Sequence, residues 1–135
     1  MEIYKITEHF PKEEVFGLTS QMSIASTSVN FNIVEGCGRG SDEDFKRMLR
    51  IASGSAFEVE YGLLLCKDLG LISEKSFLEM APKAEELKMK ISKLILKIQE
   101  DIDKKKNKAK TIINKSNKQK GLKPKADCRL LMAES

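Results

Sequence analysis

The sequence is poor in the residues on which metal centres and most enzyme sites depend. It has no Trp, a single His and three Cys among 135 residues. Cys37, Cys66 and Cys128 are widely spaced and form no Cys-x-x-Cys pair, so neither a disulfide framework nor a zinc site is indicated. Ile6 stands three residues before His9, where the Glu-x-x-His motif of di-iron bundles requires a carboxylate. We therefore expect no metal, no cofactor and no catalytic site, and not an enzyme.

Long apolar runs are also absent. No uninterrupted apolar stretch approaches the roughly 20 residues that span a bilayer. The opening residues, Met1–Lys5, lack the apolar core of a signal peptide. We therefore expect a cytoplasmic protein with no membrane partner.

Residues that favour helices dominate what is present. Leu, Met, Lys and Glu are abundant, whereas aromatic residues make up only 6%. Unbranched side chains lose little rotamer freedom in a helix, and a sheet would need more Val, Thr and Tyr. The chain is long enough for one domain with a hydrophobic core. The expected fold class is all-α.

Apolar side chains recur in alternating steps of four and three residues, which is typical of helices packed in a left-handed bundle. In the second predicted helix they are Leu18, Met22, Ala25, Val29, Ile33 and Gly36. In the third they are Phe45, Leu49, Ala52, Ala56, Val59, Leu63 and Cys66. In the fourth they are Ala84, Leu87, Ile91, Leu94, Ile98 and Ile102. With a short helix over Met1–Phe10, the pattern predicts an antiparallel up-down four-helix bundle with a shortened first helix and a lysine-rich C-terminal extension.

The helix ends can be predicted from capping residues. The glycines of Gly36–Gly40 should end the second helix, because glycine readily adopts the left-handed conformation. Ser41 should cap the third helix, with Asp44 three residues on, and Gly70 should end it. Pro82 should either kink the fourth helix or mark its first turn.

A second apolar set on the third helix lies off the seam: Met48, Phe57, Tyr61, Leu64 and Leu65. A helix with two apolar faces needs two partners, and in a chain this small the second can be another subunit. The small residues Gly54 and Gly62 would allow another backbone to approach closely. This pattern favours a homo-oligomer or a protein-interaction surface.

Four polar residues border these apolar surfaces: Asn32, Glu35, Arg50 and Glu58. Buried carboxylates require partners, so we predict a hydrogen-bonded polar layer that sets the register of the bundle. A ligand-binding or general-acid role and simple exposure are the alternatives.

Charge is distributed unevenly along the chain. Residues 1–102 carry a net charge of −4, whereas residues 103–135 carry +8. We predict a bundle domain over residues 1–113 and a basic, disordered tail over residues 114–135. The lysines with the best chance of forming an ordered patch are Lys104, Lys105, Lys106, Lys108 and Lys110.

Such lysines would attract RNA or DNA. From residue 104 to residue 125 there is neither Arg nor an aromatic residue, so bidentate guanine contacts and base stacking are not expected. Binding should therefore be non-specific. A tail that only keeps the protein in solution, and contact with an anionic membrane, are the alternatives.

Several sequence blocks occur together in a characteristic order. They include Ile3-Tyr4-Lys5-Ile6-Thr7, Phe16-Gly17-Leu18-Thr19-Ser20-Gln21, Asn32-Ile33-Val34-Glu35-Gly36 and Lys67-Asp68-Leu69-Gly70-Leu71-Ile72-Ser73. From Ile3 to about Ile102 the chain resembles the four-helix bundle proteins encoded by intervening sequences of large-subunit ribosomal RNA genes. It is also similar to the accessory variability proteins of diversity-generating retroelements, which bind a reverse transcriptase and nucleic acid.

The resemblance implies an antiparallel bundle assembled as a ring, usually a pentamer. Two basic residues that commonly follow the Ser-Gln block are replaced here by Ser23 and Ile24, so the lysine-rich extension would have to supply the basic element. The expected function is a non-enzymatic, oligomeric bundle that binds nucleic acid, alone or as an accessory to a partner protein. A structural or protein-interaction bundle without nucleic-acid binding is the alternative.

Overall fold

The structure, a computed structural model, describes residues 2–8 and 17–121. It contains four helices: α1 (Glu2–Thr7), α2 (Leu18–Gly38), α3 (Asp42–Asp68) and α4 (Glu74–Gln119). Strands are absent from these residues, and the connections after α2 and α3 are only a few residues long. Short connections between long helices make neighbours antiparallel. The predicted all-α, four-helix bundle with a short first helix is confirmed.

The start of α3 follows from local hydrogen bonding. Ser41 has extended backbone angles, and its side-chain oxygen accepts a hydrogen bond from the backbone N–H of Asp44 at 3.2 Å. Asp42, Glu43 and Asp44 lie in the first turn, where carboxylates interact favourably with the helix dipole. The predicted cap is therefore confirmed.

The end of α3 is a Schellman motif. Gly70 has φ +71°, and its N–H donates to the carbonyl of Lys67 at 3.0 Å. The N–H of Leu71 donates to the carbonyl of Cys66 at 2.8 Å. Glycine meets the left-handed angle here without steric cost. The predicted stop at Gly70 is confirmed.

The prediction for the end of α2 was wrong in its mechanism. The helix continues through Gly38, and none of the glycines at 36, 38 and 40 has a positive φ. Gly36 is buried, and a Cβ there would lie 2.7 Å from Cδ2 of Phe45 and 3.0 Å from Cβ of Met48. Gly36 thus allows α2 to pack closely on α3. The sequence pattern alone does not show whether a glycine has this role or ends a helix.

The core lies along the predicted seams. One cluster comprises Ile3, Met22, Ala25, Val59, Leu63, Cys66 and Ala84, and a second comprises Val29, Ala56 and Ile91. Gly62 allows α2 to approach α3, since a Cβ there would lie 2.8 Å from Cγ of Met22. Deep in the first cluster, Sγ of Cys66 lies 3.3 Å from Sδ of Met22.

The fourth helix begins before Pro82, which excludes one of the two alternatives for that residue, and it ends later than predicted. Pro82 lies inside α4, so residues 74–80 do not form a separate piece, and Pro82 does not mark the first turn. The helix also runs to Gln119, past the predicted domain limit at residue 113. Residues 122–135, with Cys128, lie outside the described residues, as do His9 and the predicted corner after it. The division into bundle and tail stays a prediction.

The chain divides into two compact units, one ending at Ile98 and the other beginning at Gln99. The first unit holds both core clusters. The second, as far as the structure describes it, is the C-terminal part of α4 and the turn after it. Among the described helices, none combines the length and apolar character needed to cross a membrane.

Candidate nucleic-acid interface

The five lysines predicted to contact nucleic acid lie on an ordered helix. Every residue from Asp103 to Lys115 is exposed, and this stretch includes Lys104, Lys105, Lys106, Lys108 and Lys110. Nζ of Lys104 lies 3.9 Å from a carboxylate oxygen of Asp101, one turn earlier. At more than two-thirds exposure this contact is weak, because water screens it. The five lysines are therefore exposed and helical.

The helix distributes these charges around its axis. Successive residues are rotated by about 100°, so residues four or seven apart share a face. Lys104, Lys108 and Lys115 lie on one face, whereas Lys106 and Lys110 lie on another. The segment therefore presents positive charge on more than one side.

The predicted polar layer is wrong for three of its four residues. Glu35, Arg50 and Glu58 are exposed, and Glu35 forms an ion pair with Arg39 one turn along α2. The hydrogen bond from Arg39 to Glu35 raises the pKa of the arginine. These positions sit at the border of the apolar stripe, where long charged side chains turn outward to water. An exposed ion pair has no feature of a general acid.

Asn32 is the exception, and it takes part in a smaller polar contact between helices. Its side-chain nitrogen donates to the carbonyl of Ser28 at 2.7 Å and to the hydroxyl of Ser28 at 2.9 Å. The Ser28 hydroxyl lies 2.8 Å from that of Ser55 on α3. The polar contact between α2 and α3 is thus formed by Ser28, Asn32 and Ser55, and not by the charged residues of the predicted layer.

Sequence reasoning missed a buried cation. Lys88 is only 8% exposed, and its Nζ lies 2.6 Å from Glu60 and 2.7 Å from Glu85. The ammonium also lies 4.5 Å from the centroid of the Phe57 ring. The hydrogen bond to Glu60, and then that to Glu85, raises the pKa of Lys88.

A signal for this site was present in the spacing. Ala84, Lys88 and Ile91 follow steps of four and three, whereas the predicted seam member Leu87 is exposed. A seam defined by apolar residues alone places Leu87 in the core, where the structure places Lys88. The site satisfies its own charges and holds α4 against α3, which is a structural role.

Large apolar side chains are exposed on α2, α3 and α4, with Leu78, Leu96 and Ile112 among those of α4. On α2 these are Ile24, Phe31 and Val34, and the last two are 69% and 70% exposed. On α3 they are Ile51, Phe57, Tyr61 and Leu64, with Tyr61 65% exposed. We call these sets the α2 face and the α3 face.

The α3 face corresponds in part to the predicted second apolar set. Phe57, Tyr61 and Leu64 are exposed, but Met48 is buried, so its membership was wrong. The α2 face was not predicted, although its signal is plain: Leu18–Gly38 contains one charged residue, Glu35. Gly54 borders the α3 face with nothing within 4 Å of its would-be Cβ, so it makes no close approach within the chain.

A cavity of about 290 Å³ opens among the helices of the first unit. Apolar side chains such as Val29, Val59 and Leu63 line it, and the ion pair of Glu2 with Lys83, 2.7 Å apart, lies at its edge. The hydrogen bond from Lys83 lowers the pKa of Glu2. Across residues 2–8 and 17–121, no group of three or more His, Cys, Asp or Glu side chains is placed to hold a metal ion.

Comparison with known proteins agrees with this fold. A crystal structure from Bacteroides thetaiotaomicron, of a protein with unknown function from the S23 ribosomal protein family, superposes with a TM-score of 0.65 at 24% sequence identity. The match covers 70% of this chain and 88% of that one. Comparison with curated proteins gives no match. The family model described as 23S rRNA-intervening sequence protein matches residues 1–93. The chain therefore belongs to the 23S rRNA-intervening sequence protein family.

Proposed function

We propose that this chain is a non-enzymatic, homo-oligomeric helical-bundle protein that binds RNA or DNA non-specifically through the lysines of α4. The observation that carries the proposal is the fully exposed stretch from Asp103 to Lys115, in which six of thirteen residues are lysine. Lysines that neutralise phosphates release condensed counterions, whatever the base sequence. The lack of Arg and aromatic residues from 104 to 125 agrees with non-specific contact.

Family membership supports a nucleic-acid context, since the family takes its name from intervening sequences of 23S rRNA. The family match ends at residue 93, before the lysine-rich stretch begins. The lysine-rich stretch therefore lies outside the part of the chain that the family model matches. We place the protein in the cytoplasm, alone or as an accessory to a partner protein.

The α2 and α3 faces support assembly. Phe31 and Val34 on one helix and Tyr61 on the other are exposed by about two-thirds, which is costly for an isolated chain. Two different faces on one chain allow a heterologous contact, and such contacts form a ring when the rotation between subunits closes. A ring agrees with the pentamer that the family resemblance implies.

The salt dependence of binding tests the nucleic-acid role. For the full chain, the logarithm of the association constant with duplex DNA should fall with the logarithm of salt concentration, with a slope of about 0.9 per phosphate contacted. Replacing Lys104, Lys108 and Lys110 with Gln should reduce that slope. The control, with Lys75, Lys93 and Lys97 replaced by Gln, removes the same charge from exposed sites elsewhere.

If both triple variants change the slope equally, the lysines of residues 103–115 are not the interface. If the wild type shows no binding at low salt, the alternative function holds: a structural or protein-interaction bundle without nucleic-acid binding. The α2 and α3 faces favour that alternative. In that case protein partners captured from cells should be retained after nuclease treatment.

A further inference from the structure

A stripe of neutral polar side chains lies between the lysine faces of α4. Asn107, Thr111 and Asn114 follow steps of four and three residues, so they share one side of the helix. The hydroxyl of Thr111 donates to the carbonyl of Asn107 at 2.9 Å, which leaves its oxygen able to accept a hydrogen bond. We call this set the asparagine stripe.

The two lysine rows flank the asparagine stripe. Each residue is rotated by about 100° around the helix axis from the one before it. The row of Lys104, Lys108 and Lys115 therefore lies roughly 70° around the axis from the centre of the stripe. Lys106 and Lys110 lie roughly 90° to the other side. The opposite side of the helix carries Ala109 and Ile112, with Lys105 between them. Asp103 lies between the stripe and the row of Lys106 and Lys110.

This part of α4 is exposed, and its width is close to that of a DNA groove. All residues from Asp103 to Lys115 are exposed, a length of about 20 Å at 1.5 Å per residue. A helix with its side chains is about 10–12 Å across, and the major groove of B-form DNA is about 12 Å wide.

We propose that residues 103–115 enter the major groove of B-form duplex DNA, with Asn107 and Asn114 facing the base edges and the lysine rows contacting the phosphates of the two walls. The inference rests on the proposed function and narrows it to duplex DNA: the lysine contacts with phosphates stay independent of base sequence, and the two asparagines add a preference for adenine. Phosphates line a groove on both sides, which matches two lysine rows. A single strand or a flat anionic surface would engage one row only.

Asparagine is suited to the floor of this groove. Its amide pairs with the N6 and N7 edge of adenine, and Thr can bond several bases. A-form RNA does not offer the same site, because its major groove is too narrow for side chains to read. The asparagine stripe therefore distinguishes duplex DNA from duplex RNA.

The first test compares three ligands of one sequence with the full chain: a 20-base-pair DNA duplex, the matching RNA duplex and single-stranded DNA. Fluorescence anisotropy at constant low salt measures each affinity. We expect the DNA duplex to bind about tenfold more tightly than the RNA duplex, the scale of one good base contact. Equal affinities for the two duplexes would overturn the inference but leave the proposed function intact.

The second test uses two variants of equal charge. Asn107→Glu with Asn114→Glu places two carboxylates on the asparagine stripe, and Ala109→Glu with Ile112→Glu places two on the opposite side. All four positions are exposed, so the bundle should keep its circular dichroism spectrum. For duplex DNA, we expect the first variant to lose about tenfold more affinity than the second. Equal losses would mean that charge alone is sensed and that the helix does not enter the groove.

Discussion

At the scale of single residues, lysine occurs in two different environments in this protein. Lys88 is almost fully buried and paired, whereas the lysines of residues 103–115 are fully exposed. The same residue type thus serves packing in one unit and carries the proposed function in the other. The two roles differ in the burial of the side chain, and the positions of charged residues in the sequence do not show which of them are buried.

The ion pair between Lys88 and Glu85 should make the stability of the fold depend on pH. The hydrogen bond from Lys88 lowers the pKa of Glu85 below 4.5, so its contribution to folding is present above pH 4.5 and is lost as pH falls through the lowered value. In Lys88→Met this contribution disappears. Between about pH 7 and pH 3, thermal melting should therefore show a larger loss for the wild type than for Lys88→Met.

Lys75→Met is the control for this measurement, because Lys75 is an exposed lysine on the same helix. Its melting temperature should follow the wild type at each pH. Parallel curves for the wild type and Lys88→Met would show that the Lys88 contact contributes no pH-dependent stability.

At the scale of elements, glycine decides how closely α2 and α3 approach. Gly36→Ala should destabilise the fold by about 1–3 kcal/mol, because the new methyl group would meet Phe45 and the Cβ of Met48. Gly38→Ala, two residues on in α2, meets nothing within 4 Å and should be neutral or slightly stabilising. Urea unfolding measures both, and equal free energies of unfolding for the two variants would contradict this account of Gly36.

How much of each element could be predicted depends on whether its cause is local. Ser41 and Gly70 act through hydrogen bonds a few residues away, and both predictions are confirmed. The roles of Gly36 and Lys88 depend on side chains of another helix, and these were missed or misread. Periodicity predicts which face of a helix is buried, but it does not identify the residue that the face contacts.

The candidate site shows the same division. The lysines of residues 103–115 can be read directly from the sequence, whereas the exposure of Ile112 and Ile113 beside them is seen only in the structure. The polar layer required contacts between helices, and Glu35, Arg50 and Glu58 proved exposed. The asparagine stripe was visible only once α4 was known to extend beyond residue 113.

At the scale of the whole molecule, the α2 face makes a test of assembly possible. Light scattering should give the wild type a molar mass that is a multiple of 15.2 kDa. Phe31→Asp with Val34→Asp should shift the protein toward the single-chain mass, because two carboxylates cannot be buried in an apolar contact. Met89→Asp changes an exposed apolar residue on α4 and should leave the mass unchanged.

A wild-type mass of 15.2 kDa would contradict the proposed assembly. A variant mass equal to that of the wild-type oligomer would instead place the contact on another exposed apolar surface, such as the α3 face.

The buried thiol of Cys66 can report when the helices of the bundle separate. Cys66 is 0% exposed beside Met22, whereas Cys37 is exposed at the end of α2. A thiol-specific reagent should modify Cys37 at once and reach Cys66 only when the helices separate. The labelling rate of Cys66 therefore reads the free energy of opening in the native chain, and any ligand that binds only the closed bundle should slow it.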